Sequence, residues 1–187
     1  MEKEWPRRRR AVTERIFNNV FGVPELNLHD VFISFRGEDT RRNFVSYLHA
    51  TLVNAGIKVF IDDKELQRGQ EISVSLRQAI VDSRISIVVF STNYAGSRWC
   101  LEELVDIMVC HKGDGRSQVL PVFLSVDPFE VRYQGGTFGQ AFENLVNRRS
   151  VIDDDARAWR EALTEAANLS GFHFSNYREQ KLLKDLH

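Results

Sequence analysis

The chain has 187 residues, enough for one domain with a substantial buried core. Apolar residues make up 43% and charged residues 27%, an ordinary globular balance, and a net charge of −1 excludes a bulk field that would draw the chain to nucleic acid or a membrane surface. No apolar run approaches the roughly 18 residues that cross a bilayer, and the N-terminus lacks the apolar stretch of a secretory signal.

Residues 1–27 stand apart. "WPRRRRAVTER" sets four arginines behind a proline and reads as a solvated, flexible basic extension, with a nuclear-import or polyanion-binding patch as the alternative. Organised sequence begins near residue 28. "DVFISF" (30–35) is short, apolar and rich in β-branched and aromatic residues, which predicts a buried strand. Phe44, Leu48 and Leu52 then recur every four residues, predicting a helix that Asp39 or Thr40 caps and Gly56 ends. "KVFID" (58–62) predicts a second strand, and Ile72, Leu76 and Ile80 a second amphipathic helix after a polar loop containing Gly69. "ISIVVFS" (85–91) is a third strand, apolar on both faces, and "SRWCLEELVDI" opens a third helix. "QVLPVFLSV" (118–126) is a fourth strand, followed by a loop with Asp127, Pro128, Gly135 and Gly136 and a helical segment from about Phe138. "DDDARAWREALTEAANLSG" (153–171) reads as the last clear helix, with acids suited to its N-terminal dipole and Gly171 as its stop; "FHF" (172–174) is a short fifth strand.

Alternating strands and helices, with strands apolar on both sides, predict an α/β fold: a flavodoxin-like five-stranded parallel sheet with helices on both faces. Ligands bind such sheets at the carboxyl ends of the strands, so the loops to inspect are 35–40, 62–71, 91–98 and 126–137.

Those loops lack the usual phosphate cradles. "RGEDTR" fits neither a dinucleotide-binding glycine pattern nor a P-loop. A phospho-accepting receiver domain needs an aspartate after the third strand, where this chain has Ser91, Thr92 and Asn93. No Ser-His-Asp or Cys-His set follows from spacing, and the five histidines show no metal-ligand spacing, so no zinc site is expected. Cys100 and Cys110, on one helix, would lie about 15 Å apart at about 1.5 Å per residue, too far for a disulfide. Two such thiols point to a reducing compartment, the cytoplasm or nucleus. Cys100 reads either as a small buried hydrophobe or as a thiol acidified by a helix N-terminus.

Glu102 and Glu103 raise a sharper question. With Ser97 as cap, Leu101, Leu104, Val105 and Met108 form the core stripe, Glu102 and Asp106 share a polar flank, and Glu103 points nearly opposite the stripe. On that pattern Glu103 is solvated surface. The one contrary sign is Trp99, a turn away, an apolar neighbour of the kind that tunes a carboxylate.

The stretches "DVFISFRGEDTRRNFVSYL", "FIDDKELQRGQEIS", "IVVFSTNYAGSRWCLEELVDI" and "PVFLSVDPFEVRYQGGTFGQAF" resemble, in order and spacing, the motifs of plant TIR (Toll/interleukin-1 receptor) domains, the N-terminal modules of nucleotide-binding, leucine-rich-repeat immune receptors. The resemblance spans about 28–175; residues 176–187 resemble the segment leading into a nucleotide-binding domain. It implies defence and cell-death signalling through cleavage of NAD⁺, or NADP⁺, to nicotinamide and ADP-ribose or cyclic products. The dinucleotide is then the substrate, and no resident cofactor is expected. By the family pattern the catalytic carboxylate corresponds to Glu103. The substrate-contacting positions correspond to Arg36, Gly37, Glu38, Asp39, Thr40, Arg41 and Gly69, with Phe35, Ser97 and Trp99 as further walls. For Arg36 and Arg41, a pyrophosphate contact stands beside a solvated loop position or a salt bridge with Glu38. The family also implies self-association through the first and last helices and a glycine-rich turn, and pairing with other TIR domains; membrane and nucleic-acid partners are not expected. Here the family's usual Ser-His pair of the first helix is Ser46-Tyr47, with His49 two residues later, and its usual Thr-Gly of the turn is Gly135-Gly136. A non-catalytic TIR–TIR scaffold is the alternative.

Overall fold

The computed structural model of the chain describes residues 29–61, 74–114, 117–148 and 151–175. The basic extension 1–27, the loop 62–71 with Gly69, and the segment 176–187 lie outside the described residues. Strand β1 is His29–Phe35, β2 Val59–Ile61, β3 Ser83–Phe90, β4 Gln118–Leu124 and β5 Phe172–Phe174. They form one sheet in the order β2-β1-β3-β4-β5, every pairing parallel. This is the predicted flavodoxin-like arrangement, and it brings the ends of β1 and β3 together at the centre of the sheet.

Helix α1 is Gly37–Thr40, continued by a π-helical turn Arg41–Val45 into α2, Ser46–Asn54. After β2 comes α3, Val74–Val81; after β3 a 3₁₀ turn Tyr94–Gly96 and α4, Arg98–Asp114; after β4 the helices α5, Pro128–Tyr133, α6, Gly136–Val146, and α7, Asp153–Ala166. Side chains alternate across the sheet as the strand period requires. Val31, Ile33, Phe35, Ile87 and Val89 pack on one face with Phe44, Val45, Leu48 and Leu52 of the first helical run. Phe32, Val88 and Phe90 face the opposite side, where α3, α4, α6 and α7 supply Ile80, Leu101, Leu104, Phe142, Trp159 and Leu163.

Several boundaries differ from the sequence reading for identifiable reasons. Neither Asp39 nor Thr40 caps the first helix, which already begins at Gly37. Thr40 Oγ1 instead donates back to the Arg36 carbonyl at 3.1 Å. Strand β4 stops at Leu124 because Ser125 adopts a left-handed backbone, φ 54°. The predicted loop after it contains α5, with Asp127 Oδ1 accepting from Phe129 N–H at 2.7 Å and Pro128 in the first turn, a cap-and-proline start legible in the sequence. Helix α7 ends at Ala166, five residues before Gly171. Gly171 serves another purpose: an added Cβ would sit 2.2 Å from the Pro121 carbonyl oxygen, so only glycine lets this segment approach β4 so closely.

Candidate functional site

The site lies where β1 and β3 finish. β1 alternates, so Ser34 points away from Phe35 and into the face lined by α4; across the pairing it stands opposite Val88 of β3. Helix α4 begins immediately beyond, and its N-terminus is capped as predicted: Ser97 Oγ accepts from the Cys100 N–H at 3.3 Å. That cap fixes the phase of the helix, and the phase places Glu103 against β1.

Glu103 is therefore not solvated surface; it is 3% exposed. The expectation from the apolar stripe is overturned because α4 is enclosed on several sides, packing against β1, β4, α3 and α7, so a stripe along one face does not define its buried surface. Ser34 Oγ donates to Glu103 Oε2 at 2.8 Å. Ser34 Oγ also lies 2.9 Å from the hydroxyl of Tyr94, which donates to the Cys100 carbonyl at 3.0 Å. Burial disfavours a charged carboxylate and a hydroxyl donor favours it, so the site holds one desolvated acid under hydrogen-bond control.

Glu102, its neighbour in sequence, has the opposite fate. It accepts from Arg98 Nε at 2.8 Å on the partly exposed flank, and that hydrogen bond, ahead of attraction from Asp155, raises the Arg98 guanidinium above its ordinary value. Asp106 pairs with Arg77 at 3.0 Å. Cys100 is buried, its Sγ 3.5 Å from the Phe35 carbonyl, which fits the small-hydrophobe reading of this thiol; Cys110 is buried on the same helix and no disulfide joins them.

The first loop forms the rim. Arg36 donates to both Glu38 and Asp39. Asp39 also accepts from Ser91 Oγ at 2.6 Å and from the Asn93 N–H at 3.3 Å, clamping the loop after β1 to the loop after β3. Arg41 lies over the Phe35 ring, 4.9 Å from its centroid, while Phe35 itself is buried. Gly37, Ser97 and Trp99 are half-buried, Thr40 is buried, and Trp99 packs against the main core. Thus Glu103, held by Ser34, and Phe35, under Arg41, lie at the carboxyl end of β1 but on opposite faces of the sheet, with Trp99 packed on the Glu103 side. Of the interface positions, Ser46 is exposed and donates to the Arg41 carbonyl, Tyr47 is half-buried, and Gly136 has φ 54° beside a half-buried Gly135. Among the described residues no group of three or more His, Cys, Asp or Glu can hold a metal ion.

Ser34, Ser91 and Tyr94 were missed by sequence reasoning. The signal for Ser34 was present: a lone hydroxyl inside "DVFISF" is a buried polar group, and the large majority of such groups have a partner. Nothing local marks Tyr94, whose ring fills the core while its hydroxyl meets Ser34 of the distant β1 and the Cys100 carbonyl six residues on.

The model of the family described as the TIR domain matches residues 28–187. Disease resistance protein RUN1 of Vitis rotundifolia is 49% identical over 166 residues, which cover 88% of this chain and 12% of that protein. TMV resistance protein N of Nicotiana glutinosa is 50% identical over 143 residues, covering 76% of this chain and 12% of that protein. The chain thus spans about an eighth of the length of these relatives. Among solved structures, the TIR domains of the activated Roq1 resistosome, described as directly recognizing the pathogen effector XopQ, are 48% identical with a TM-score of 0.70, covering 85% of this chain and 99% of that one. With the family match running from the start of β1 through β5 and the fold agreeing with that of Roq1, this chain belongs to the TIR domain family, and its relatives are plant disease resistance proteins.

Proposed function

We propose that this TIR domain cleaves NAD⁺, or NADP⁺, at the nicotinamide N-glycosidic bond once it has self-associated, and that Glu103 is the catalytic carboxylate. The observation carrying this reading is a single acid, 3% exposed, held by a hydroxyl donor at the carboxyl end of the central strands. An acid so placed, buried against a neutral hydroxyl, is a candidate functional group.

One carboxylate is enough for this chemistry. Glycosidases need a second carboxyl group to protonate a leaving oxygen. Nicotinamide is attached as a pyridinium, so when the C1′–N bond breaks its electron pair neutralises the leaving group and no acid is required. The positive charge moves to an oxocarbenium-like ribose, which an anion beneath the ring stabilises or traps covalently. Water adding at C1′ and losing a proton gives ADP-ribose; attack by another nucleophilic atom of the same substrate gives a cyclic product. Arg41, beside Phe35, is suited to the pyrophosphate; Arg36 would have to exchange Glu38 or Asp39 for phosphate oxygens. Self-association draws support from the resistosome assembly of the Roq1 relative and from the exposure of Ser46 on α2. Two buried thiols fit a reducing cytoplasm or nucleus. Defence and cell-death signalling is the reading taken from the disease resistance relatives.

The test is nicotinamide release from NAD⁺ at high protein concentration. Loss of one transition-state-stabilising group costs about 10²–10³ in rate, so Glu103→Ala abolishes measurable turnover while Glu102→Ala retains it. Equal turnover by Glu103→Ala and the unaltered chain refutes the assignment. A second reading, a scaffold that signals by TIR–TIR contact alone, is favoured by the occupation of Arg36 by two carboxylates. It requires Ser46 variants to lose cell-death signalling while Glu103→Ala keeps it.

A further inference from the structure

Behind Glu103 the hydroxyls of Ser34 and Tyr94 form a relay that closes on itself. Its members come from β1, the 3₁₀ turn and α4: Glu103 Oε2 to Ser34 Oγ at 2.8 Å, Ser34 Oγ to the Tyr94 hydroxyl at 2.9 Å, and Tyr94 to the Cys100 carbonyl at 3.0 Å, one turn back on the helix that carries Glu103. Ser34 and Tyr94 are each 0% exposed, so no solvent competes for these protons. We propose that Ser34 and Tyr94 are positioning residues for Glu103, fixing Oε2 and ordering the protons around it.

Proton counting gives the relay a direction. Three oxygen–oxygen contacts share two hydroxyl protons, one from Ser34 and one from Tyr94. With Glu103 ionised, Ser34 spends its proton on Oε2 and its oxygen then accepts from Tyr94. Tyr94 has one proton, and the Ser34 contact draws it from the Cys100 carbonyl. The anion therefore sets the order Tyr94 to Ser34 to Glu103, and Tyr94 acts on the carboxylate only through Ser34. The Cys100 Sγ contact with the Phe35 carbonyl ties the same two elements one residue further along β1, which holds the serine and the glutamate in register.

This inference rests on the reading of Glu103 as the catalytic carboxylate, and its test separates the two. The full chain is labelled with ¹³C at glutamate carboxyl carbons, and the Glu103 signal is identified by its loss in Glu103→Gln. Ser34→Ala moves that signal; Tyr94→Phe, which keeps the ring against Phe90, moves it less; the double variant matches Ser34→Ala. Ser86→Ala is the control, removing a buried hydroxyl that touches no partner among the described residues from the same face of the sheet. In nicotinamide release, Ser34→Ala lowers kcat by about 10²-fold, the scale of an ångström-sized misplacement, with KM within about twofold. Tyr94→Phe lowers kcat by a smaller factor and adds nothing in the Ser34→Ala background. A Glu103 signal unmoved by both hydroxyl variants, or kcat in both equal to that of Ser86→Ala, overturns the relay. Movement of the signal in a chain that releases no nicotinamide upholds the relay and removes the enzymatic reading instead. Should Ser34→Ala fail to fold, Tyr94→Phe decides by the same two measurements.

Discussion

Removing the Asp39 carboxylate should unlock the two loops that border Glu103. Asp39→Ala loses the bond from Ser91 Oγ at 2.6 Å, the bond from the Asn93 N–H at 3.3 Å, and one of two carboxylate partners of Arg36. The contributions are unequal. Ser91 is 4% exposed, so its hydroxyl is left buried without that acceptor, at a cost of about 1–3 kcal/mol. The long, exposed Asn93 contact contributes a few tenths at most. Arg36 keeps Glu38, and its pair with Asp39 is partly screened by solvent, which limits that loss to about 0–1 kcal/mol. The sum, about 1–4 kcal/mol, corresponds to a fall in melting temperature of about 3–12 °C at the roughly 3 °C per kcal/mol expected for a domain of this size. Urea denaturation of the single and double variants with Ser91→Ala supplies the decisive comparison. The two carboxylate and hydroxyl deletions should be coupled by about 1–2 kcal/mol, because each removes the same bond. A strictly additive cycle, or a change of less than about 0.5 kcal/mol for Asp39→Ala, would show that the clamp is a surface contact of no energetic consequence.

The glycine-rich turn provides a contrast of sign. Ala for Gly in a helix ordinarily stabilises, yet Gly139→Ala puts a Cβ 2.0 Å from the Gln134 carbonyl oxygen and should destabilise by about 1–3 kcal/mol in a urea melt. Gly135, with φ −102° and nothing within 4 Å of an added Cβ, should accept Gly135→Thr with a stability change within about 0.5 kcal/mol, so any effect of that change on self-association by light scattering is an effect on the interface. Both thiols are buried, so an aromatic disulfide reagent should label neither in the native chain and both after denaturation; rapid native labelling of Cys100 would revive the acidified-thiol reading.

The sheet was legible in the sequence because its strands are apolar on both faces and short, a pattern that admits little else, and because the glycine and polar punctuation between them matches parallel crossovers. Helix ends were less legible. Asp39 and Thr40 look like caps locally, but their side chains are claimed by Ser91 across the sheet edge and by the Arg36 carbonyl. Gly171 looks like a helix stop, but its lack of a Cβ is used against Pro121. For Asp39 and Gly171 a distant segment displaces the local motif, and no short window along the chain contains that segment; Thr40 turns back on a carbonyl only four residues away. The site shows the same division. Ser97 as cap was readable because the bond spans three residues; the Ser34–Glu103 bond spans 69 and was not. Periodicity assigned Glu103 to solvent because it assumes a helix with one wet face, whereas α4 is packed on several sides. Only the motif resemblance singled that glutamate out.

The adjacent glutamates allow the functional argument to be tested by setting stability against turnover. Glu102→Gln weakens an i,i+4 pair with Arg98 on a partly exposed flank, and should cost about 0.3–0.5 kcal/mol without affecting turnover. Glu103→Gln is nearly isosteric, and its amide still has an oxygen to accept from Ser34. What it removes is the cost of burying a carboxyl group, replaced by a neutral amide of nearly the same shape. The folded state should therefore gain about 1 kcal/mol or more, while nicotinamide release falls by about 10²–10³. The two changes run in opposite directions only if the carboxylate is kept for chemistry at the expense of stability. A Glu103→Gln chain that is both inactive and less stable would mean that the buried acid is part of what holds β1 to α4, and its loss of activity would then follow from a loosened fold.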